Sequence, residues 1–315
     1  MNTSGTSVFH AAKTVTLQEG DNALEITMDW TTGLLLSRFS FNNDSTSDST
    51  GRLVAVPGSQ GMLMGSLQTM GNPGSELEGN RYLSFPQPSP SPALTNGSWV
   101  DLKTGSGSSL DLGNAFTLAV WINPSNLYSP FAERKQVIIS SQAGDASSGQ
   151  TSSPGFTLSY NTFNGASPDG KLYVETGNGA SRAVFDSGSA VLSYGKWQHI
   201  ALSMDRKTGK AQLWLNGTAV GSGSIGSGFL ADFDSNLPLR VGGMPSGRFF
   251  FAGLMDDWRI YTGNMDNNQV STIIGEGAFA GGRGTSSEPF LVASPQQLNN
   301  VRFFLAGSFR QTDDI

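Results

Sequence analysis

The chain has 315 residues, of which 37% are hydrophobic and 14% charged, well below the roughly 25% charged of a typical soluble domain. A net charge of −6 and a pI near 4.9 exclude a nucleic-acid or acidic-lipid partner held by cationic patches. No apolar run approaches the ~18 residues of a membrane-spanning helix, and the absence of cysteine removes disulfides, thiolate zinc sites and cysteine nucleophiles.

The elements run as short strands from the start. Thr14–Leu17 and Ala23–Met28 alternate around Glu19-Gly20-Asp21-Asn22 and read as a β-hairpin. Residues 45–98 mix Ser, Pro, Gly and Asn, with Gln87–Pro92 as an exposed polyproline-like loop. Phe116–Ile122 reads as a buried strand ended by Asn123-Pro124. Further strands are expected at Val137–Ser140, Gly155–Tyr160, Lys171–Glu175, Ala183–Phe185, Trp197–Asp205, Ala211–Leu215, Leu239–Val241 and Gly253–Tyr261. Asp205–Lys210 and the Asn216-Gly217 pair supply turns that fold three of these into a meander. Gly221–Gly226 satisfies G-x-G-x-x-G, but no βαβ unit follows it and it reads as a flexible turn. Only Asn267–Ile274 and Pro295–Val301 look helical, the second with Ser294 as its cap. Gly275–Ser287 is Gly-rich and reads as a linker, and Glu288–Ile315 is too short to fold alone. Strands every 8 to 15 residues with no long helix indicate a sandwich or jelly roll.

Six runs, in order, carry a family likeness. They are Phe39-Ser40-Phe41 with Asp48-Ser49-Thr50-Gly51; Trp99-Val100-Asp101-Leu102 with Ser109–Thr117; Val120-Trp121-Ile122-Asn123-Pro124; Gly195–Ala201; Leu213-Trp214-Leu215-Asn216-Gly217; and Phe251–Tyr261. From Phe39 to Ile274 the chain resembles the laminin-G-like, concanavalin A-like jelly-roll family. The resemblance implies an all-β fold, a jelly-roll β-sandwich of two antiparallel sheets. The ends resemble bacterial surface modules: Thr14–Ile26 an immunoglobulin-like hairpin, and Glu288–Val301 the lead-in to a surface repeat. The expected organisation is therefore an N-terminal hairpin segment over 1–32, the sandwich over 33–276, and a Gly-rich linker and lead-in over 277–315.

The likeness also implies a calcium ion, because in the family an Asp of the opening loop meets an Asp near the last strand at one edge. The matching residues are Asp48 and Asp256, with Asn43, Asp44 and Asp257 as further oxygen donors. Calcium takes six to eight such ligands. The alternative is that these aspartates close Asx turns or accept backbone N–H groups. No E-x-D-x-x-E strand of the kind used by glucanases of this fold is present. Of the two histidines, His199 lies in a strand pattern that gives it a structural role. Trp121, Trp197 and Trp214 read as core, whereas Trp99, Tyr128, Phe131 and the Phe249-Phe250-Phe251 run beside Arg248 lie near turns and form a candidate contact surface.

The functional expectation is a non-catalytic, extracellular adhesion module, calcium-stabilised, recognising a glycan or a surface protein. The alternative is a spacer or filament subunit in which the N-terminal hairpin self-associates with a neighbouring chain. A polysaccharide-degrading enzyme ranks below both. No signal peptide is visible in Met1–Gly5, and neither nucleic-acid binding nor membrane insertion is expected.

Overall fold

Alternation of apolar and polar residues sets which face of each strand is buried, and two faces buried against each other make a sandwich. The structure, a computed structural model, describes residues 35–39, 53–57, 63–64, 82–86, 97–104, 112–125, 135–144, 153–161, 169–225 and 237–315. The expected hairpin over Thr14–Met28, the Pro-rich loop, Tyr128 and Phe131 lie outside them. In chain order the strands are β1 (Leu35–Phe39), β2 (Leu53–Pro57), β3 (Leu63–Met64), β4 (Leu83–Phe85), β5 (Val100–Thr104), β6 (Ala115–Pro124), β7 (Gln136–Ser140) and β8 (Gly155–Tyr160). There follow β9 (Leu172–Gly177), β10 (Arg182–Asp186), β11 (Gln198–Asp205), β12 (Lys210–Leu215), β13 (Thr218–Ser224), β14 (Leu239–Val241) and β15 (Gly253–Thr262). Helix α1 (Asn267–Ala278), β16 (Phe290–Val292), α2 (Pro295–Asn300) and β17 (Phe309–Gln311) complete the chain.

Among the described residues, one sheet has the order β13-β12-β11-β6-β15-β4-β3, with β1 also on β15, and the other β10-β9-β8-β7-β14-β5-β2. All pairings within these two sheets are antiparallel. The core between them takes the alternate residues: Phe116, Leu118, Val120 and Ile122 from β6, Ile200, Leu202 and Met204 from β11, and Phe156, Leu158 and Tyr160 from β8. The Asn216-Gly217 turn between β12 and β13 has positive φ at both positions, 50° and 80°, as a type I′ hairpin requires. Gly221–Ser224, expected as a flexible turn, instead belongs to strand β13 and pairs with β12. Asp205 holds the preceding hairpin by accepting the N–H groups of Lys207 and Thr208.

The C-terminal segment differs most from expectation. Residues 277–315 do not trail from the sandwich as a linker; they are built onto the outer face of the larger sheet. Asp266 and Gln269 form a capping box at α1, and Val270 and Ile273 lie against Ala119, Ala201 and Trp214. Beyond α1, Phe279, Phe290 and Phe304 join Tyr82, Trp121 and Trp197 in one buried cluster. Phe279 and Phe290 stack at 4.6 Å with planes 17° apart, and Phe304 meets Trp121 edge-on at 5.7 Å. Strands β16 and β17 pair in parallel, joined by α2, whose cap Ser294 accepts the N–H of Gln297 at 3.1 Å. The three tryptophans Trp121, Trp197 and Trp214 are buried as expected, under this cover rather than between the sheets.

Candidate functional site: an ion-paired row on the smaller sheet

With the outer face of the larger sheet covered, the outer face of the smaller sheet is the other broad surface the strands present. Cross-strand partners share a face, and one register row runs Asp101, Arg240, Ser140, Thr157, Glu175, Val184 across β5, β14, β7, β8, β9 and β10. Their strand neighbours Val100, Leu102, Val241, Leu158 and Val174 point into the core, which places the row outside.

Each polar member has its partner. Arg240 donates to Asp101 through two N–H groups, at 2.7 and 3.0 Å, and its guanidinium lies 4.8 Å over the Trp99 ring. Ser140 and Thr157 hydroxyls are 2.7 Å apart, and Thr157 donates on to Gln142 at 2.8 Å. Glu175 Oε2 takes two cations, Arg182 Nη2 at 3.1 Å and Lys135 Nζ at 3.5 Å. Lys135 also sits 5.4 Å from the centre of the Phe249 ring, over which Arg248 lies at 4.7 Å. The centre of the row is buried, Ser140 and Thr157 completely. The row reaches solvent on β10, where Val184 is 45% exposed and the Arg182 side chain 34% exposed, against 7% for Glu175 on β9. Beside it on β9, Tyr173 donates its hydroxyl to Asp169 at 2.6 Å, and Lys171 pairs with Asp186 at 3.5 Å.

The Phe249-Phe250-Phe251 run is not an exposed contact surface. All three rings are buried: Phe250 stacks on Trp99 at 5.8 Å and Phe251 meets Phe85 edge-on at 5.5 Å. Apolar area of that size is worth more inside than in water. Phe249 takes a positive φ of 55° to reach its place between Lys135 and Arg248.

The expected calcium residues divide. Asn43, Asp44 and Asp48 lie outside the described residues. Asp256 and Asp257 form a bulge in β15, between Met255, which pairs with β4, and Trp258, which pairs with β1. Strand β1 ends at Phe39, opposite Trp258 and one step from the bulge. Asp256 is fully buried and its Oδ1 accepts the N–H of Asp257 at 2.6 Å. Asp257 accepts from Arg259 at 2.8 and 3.0 Å and from Arg38 at 2.7 Å. Burial alone would raise its pKa, but Arg259 and then Arg38 outweigh it and hold the carboxyl below its ordinary 3.8. A carboxylate already balanced by two guanidiniums is a poor cation ligand. Among the described residues no three Asp, Glu or His side chains come together in a cation cage.

His199 takes the structural place expected of it. It is buried against Trp121 at 5.1 Å, and its Nδ1 has no hydrogen-bond partner. Burial first, and the charge of Arg259 second, push its pKa down to about 3, so it is neutral at pH 7.

A family model described as "Concanavalin A-like lectin/glucanases superfamily", of the laminin-G type, matches residues 94–271. The chain belongs to that superfamily. No curated protein sequence matches it. Among solved structures, this superfamily member is similar to domain 4 of AbnA, a GH43 extracellular arabinanase from Geobacillus stearothermophilus, in complex with arabinotriose. The TM-score is 0.50 at 17% identity, over 77% of this chain and 99% of that one. It is also similar to the binding domain of Paraclostridial Mosquitocidal Protein 1, with a TM-score of 0.51 at 14% identity over 76% of this chain. The binding domain of Botulinum Neurotoxin DC in complex with SialylT gives 0.50 at 11% identity over 77%. This chain spans 52% and 50% of those two toxin domains. At such identities the likeness is one of fold. No helix among the described residues is long and apolar enough to cross a membrane.

Sequence reasoning passed over Glu175 and Arg240, which lie on strands it had placed, and their neighbours Lys135 and Arg182, which lie just outside the strands it expected. Their signal was the alternation itself: Tyr173 and Glu175 on β9, and Arg182, Val184 and Asp186 on β10, alternate with the apolar residues that face the core.

Proposed function

We propose that this chain is a non-catalytic extracellular binding module that recognises a glycan or a surface protein, and that the outer face of the smaller sheet, where it opens at β9 and β10, is the contact surface. The observation that carries the reading is the contrast between the two outer faces. One is covered by α1 and an aromatic cluster; the other carries an ion-paired row that ends in the solvent-facing group Tyr173, Arg182 and Val184. A ring, a guanidinium and an apolar patch are the components that fix a polar ligand with apolar faces. The similar arabinanase domain holds arabinotriose in its complex, and the two similar toxin structures are binding domains. That company supports a binding role.

The absence of catalysis rests on the state of the carboxylates. Asp101, Glu175 and Asp257 are each held by Arg or Lys. A general acid needs a carboxyl whose proton is retained near neutral pH, whereas Arg259 and Arg38 hold Asp257 in its ionised form. A calcium ion, expected on Asp48 and Asp256 with Asn43, Asp44 and Asp257 as further donors, would stiffen the edge where β1 and β4 meet β15.

The test is binding of the chain to a panel of immobilised glycans and cell-surface proteins, with Tyr173→Ala on the contact surface and Leu305→Ser on the opposite cover. Binding weakened at least tenfold by the first and unchanged by the second supports the reading. Binding indifferent to Tyr173, or turnover of any oligosaccharide, overturns it.

A further inference from the structure

The C-terminal cover is docked onto the sandwich as a unit of its own. Its strands β16 and β17 pair with each other and with neither large sheet, so packed side chains, not a shared ladder, seat it. Phe279, Phe290 and Phe304 lie against Tyr82, Trp121 and Trp197, and Val270 and Ile273 against Ala119, Ala201 and Trp214. Just before α1 the chain is pinned, the Met265 N–H donating to Ser203 Oγ at 3.0 Å. A unit tethered at one end and seated mainly by packing lifts without unravelling either sheet.

His199 lies beneath it. Its strand neighbours Ile200 and Leu202 belong to the core between the sheets, so His199 and Ala201 point to the covered face. Ala201 meets α1 there, and Trp121, opposite His199 on β6, meets Phe304. The adjoining turn is covered too: a Cβ on Gly217 would stand 3.3 Å from Ile274 of α1. The imidazole is 1% exposed, and its buried Nδ1 has no hydrogen-bond partner. The charged groups that act on it are Arg259 and Asp257 of β15, of which the cation weighs more. Arg38 of β1 is bound to that Asp257, and Glu276 of α1 to that Arg259. Burial holds the neighbouring Tyr261 hydroxyl above its ordinary 10, so it stays neutral. Trp121 of β6 and the Asn216 turn after β12 bring no charge. A proton on Nδ1 would therefore find no acceptor, and it would stand beside a guanidinium.

We propose that the cover is a pH-operated lid: protonation of His199 in mild acid lifts residues 267–311 from the sandwich and bares the aromatic face of Tyr82, Trp121 and Trp197. The closed form refuses the proton, because burial first and Arg259 second hold the ring at about 3 against an ordinary 6.5. An imidazole that reaches water on lifting accepts it. The closed form is thus at full strength above about pH 6.5 and loses ground as the pH falls, with opening favoured about 30-fold more at pH 5 than at pH 7.5. Asp257 stays ionised over this range, since its pKa lies below 3.8.

The experiment is hydrogen exchange of the whole chain from pH 7.5 down to 4.5, read peptide by peptide. Each rate is divided by the intrinsic rate at the same pH. Expected is a loss of protection of at least tenfold over residues 267–311 by pH 5, with β8 and β9 of the smaller sheet unchanged. His199→Phe and His199→Gln, which cannot take up the proton, should keep the protection constant. Phe304→Ala, which loosens the seat, should raise opening by one factor at every pH and leave the slope alone. A loss shared equally by β8 and β9 is global unfolding and overturns the lid. Constant protection in the wild type, or a loss that survives in both His199 variants, overturns the trigger. Should neither variant fold, the wild-type profile decides. A loss that begins below about pH 6.5 supports the proposal, and one that begins only below about pH 5 overturns it.

Discussion

Arg259 and Asp257, two residues apart on β15, face each other across the bulge with Nη2 to Oδ2 at 2.8 Å, both side chains almost fully buried. The same Asp257 takes Arg38 from β1, and the same Arg259 reaches Glu276 of α1 at 3.1 Å. One buried carboxylate thus ties the first described strand to the last strand of the sandwich and, through Arg259, to the C-terminal helix. Removing a partner from a buried pair leaves a charge uncompensated, which costs about 3–5 kcal/mol. Asp257→Ala is expected to lose stability in that range by chemical denaturation. Glu276→Gln, whose side chain is 60% exposed, is expected to lose under about 1 kcal/mol. Because the folded pKa of Asp257 lies below its ordinary 3.8, its contribution is present above that value and lost as the pH falls through the folded pKa. Asp257→Asn should remove that part of the acid transition.

His199 acts at higher pH. Its folded pKa of about 3 lies far below 6.5, so the unfolded chain takes up a proton that the folded chain refuses. Stability is then complete above about pH 6.5 and declines as the pH falls, with a slope approaching ~1.4 kcal/mol per unit. His199→Phe, which keeps a ring against Trp121, is expected to flatten the unfolding midpoint between pH 6.5 and 5, a range above the ordinary carboxylates. An unchanged slope would mean that another group carries it.

The C-terminal cover is a structural part of the domain. Phe304 touches Trp121, Phe279 and Phe290 at 5.7, 5.4 and 5.7 Å between ring centres. Phe304→Ala should cost about 3–5 kcal/mol. Combined with Phe279→Ala it should cost less than the sum of the two, because the rings are in contact. A change under 1 kcal/mol in Phe304→Ala would mean the cover adds nothing to the sandwich.

Calcium is tested by thermal unfolding in chelator and in millimolar calcium. An ion bound only by the folded state at about 100 times its dissociation constant adds roughly 2.7 kcal/mol. The expected outcome is a midpoint raised by a few degrees in the wild type and not in Asp256→Ala. Coincident curves in the wild type would remove the ion from the edge.

Strands were legible where the core made them alternate. Gly155–Tyr160 and Leu239–Val241 were placed with the bounds the structure has, since every second residue there faces the other sheet. The cover was not legible, because its apolar residues Phe279, Phe290 and Phe304 have no period and cluster with Tyr82, Trp121 and Trp197, about 80 to 220 residues earlier in the chain. The glycine-rich stretch that read as a linker runs beside β16 instead, Ala280 N–H donating to Leu291 O and Leu291 N–H to Gly281 O. The candidate site escaped for a related reason. Lys135, Glu175 and Arg182 come from three separate segments, and only the register of β7, β8, β9 and β10 brings them to one oxygen. Asp257 reads as a metal ligand because sequence shows a carboxylate but not the two guanidiniums that fold onto it.

The place of β15 also bears on how the protein is made. It lies between β6 on one side and β4 and β1 on the other, so it is an interior rib of its sheet and, among the described strands of that sheet, the last to leave the ribosome. Arg38 and Asp257 are 219 positions apart, which at ~5–20 residues per second is tens of seconds of synthesis. Until it emerges, β1 lacks its described partner, and β4 and β6 each lack one of their two neighbours. A nascent chain stalled before Gly253 should therefore be a client of holding chaperones, and one released past Ile315 should not.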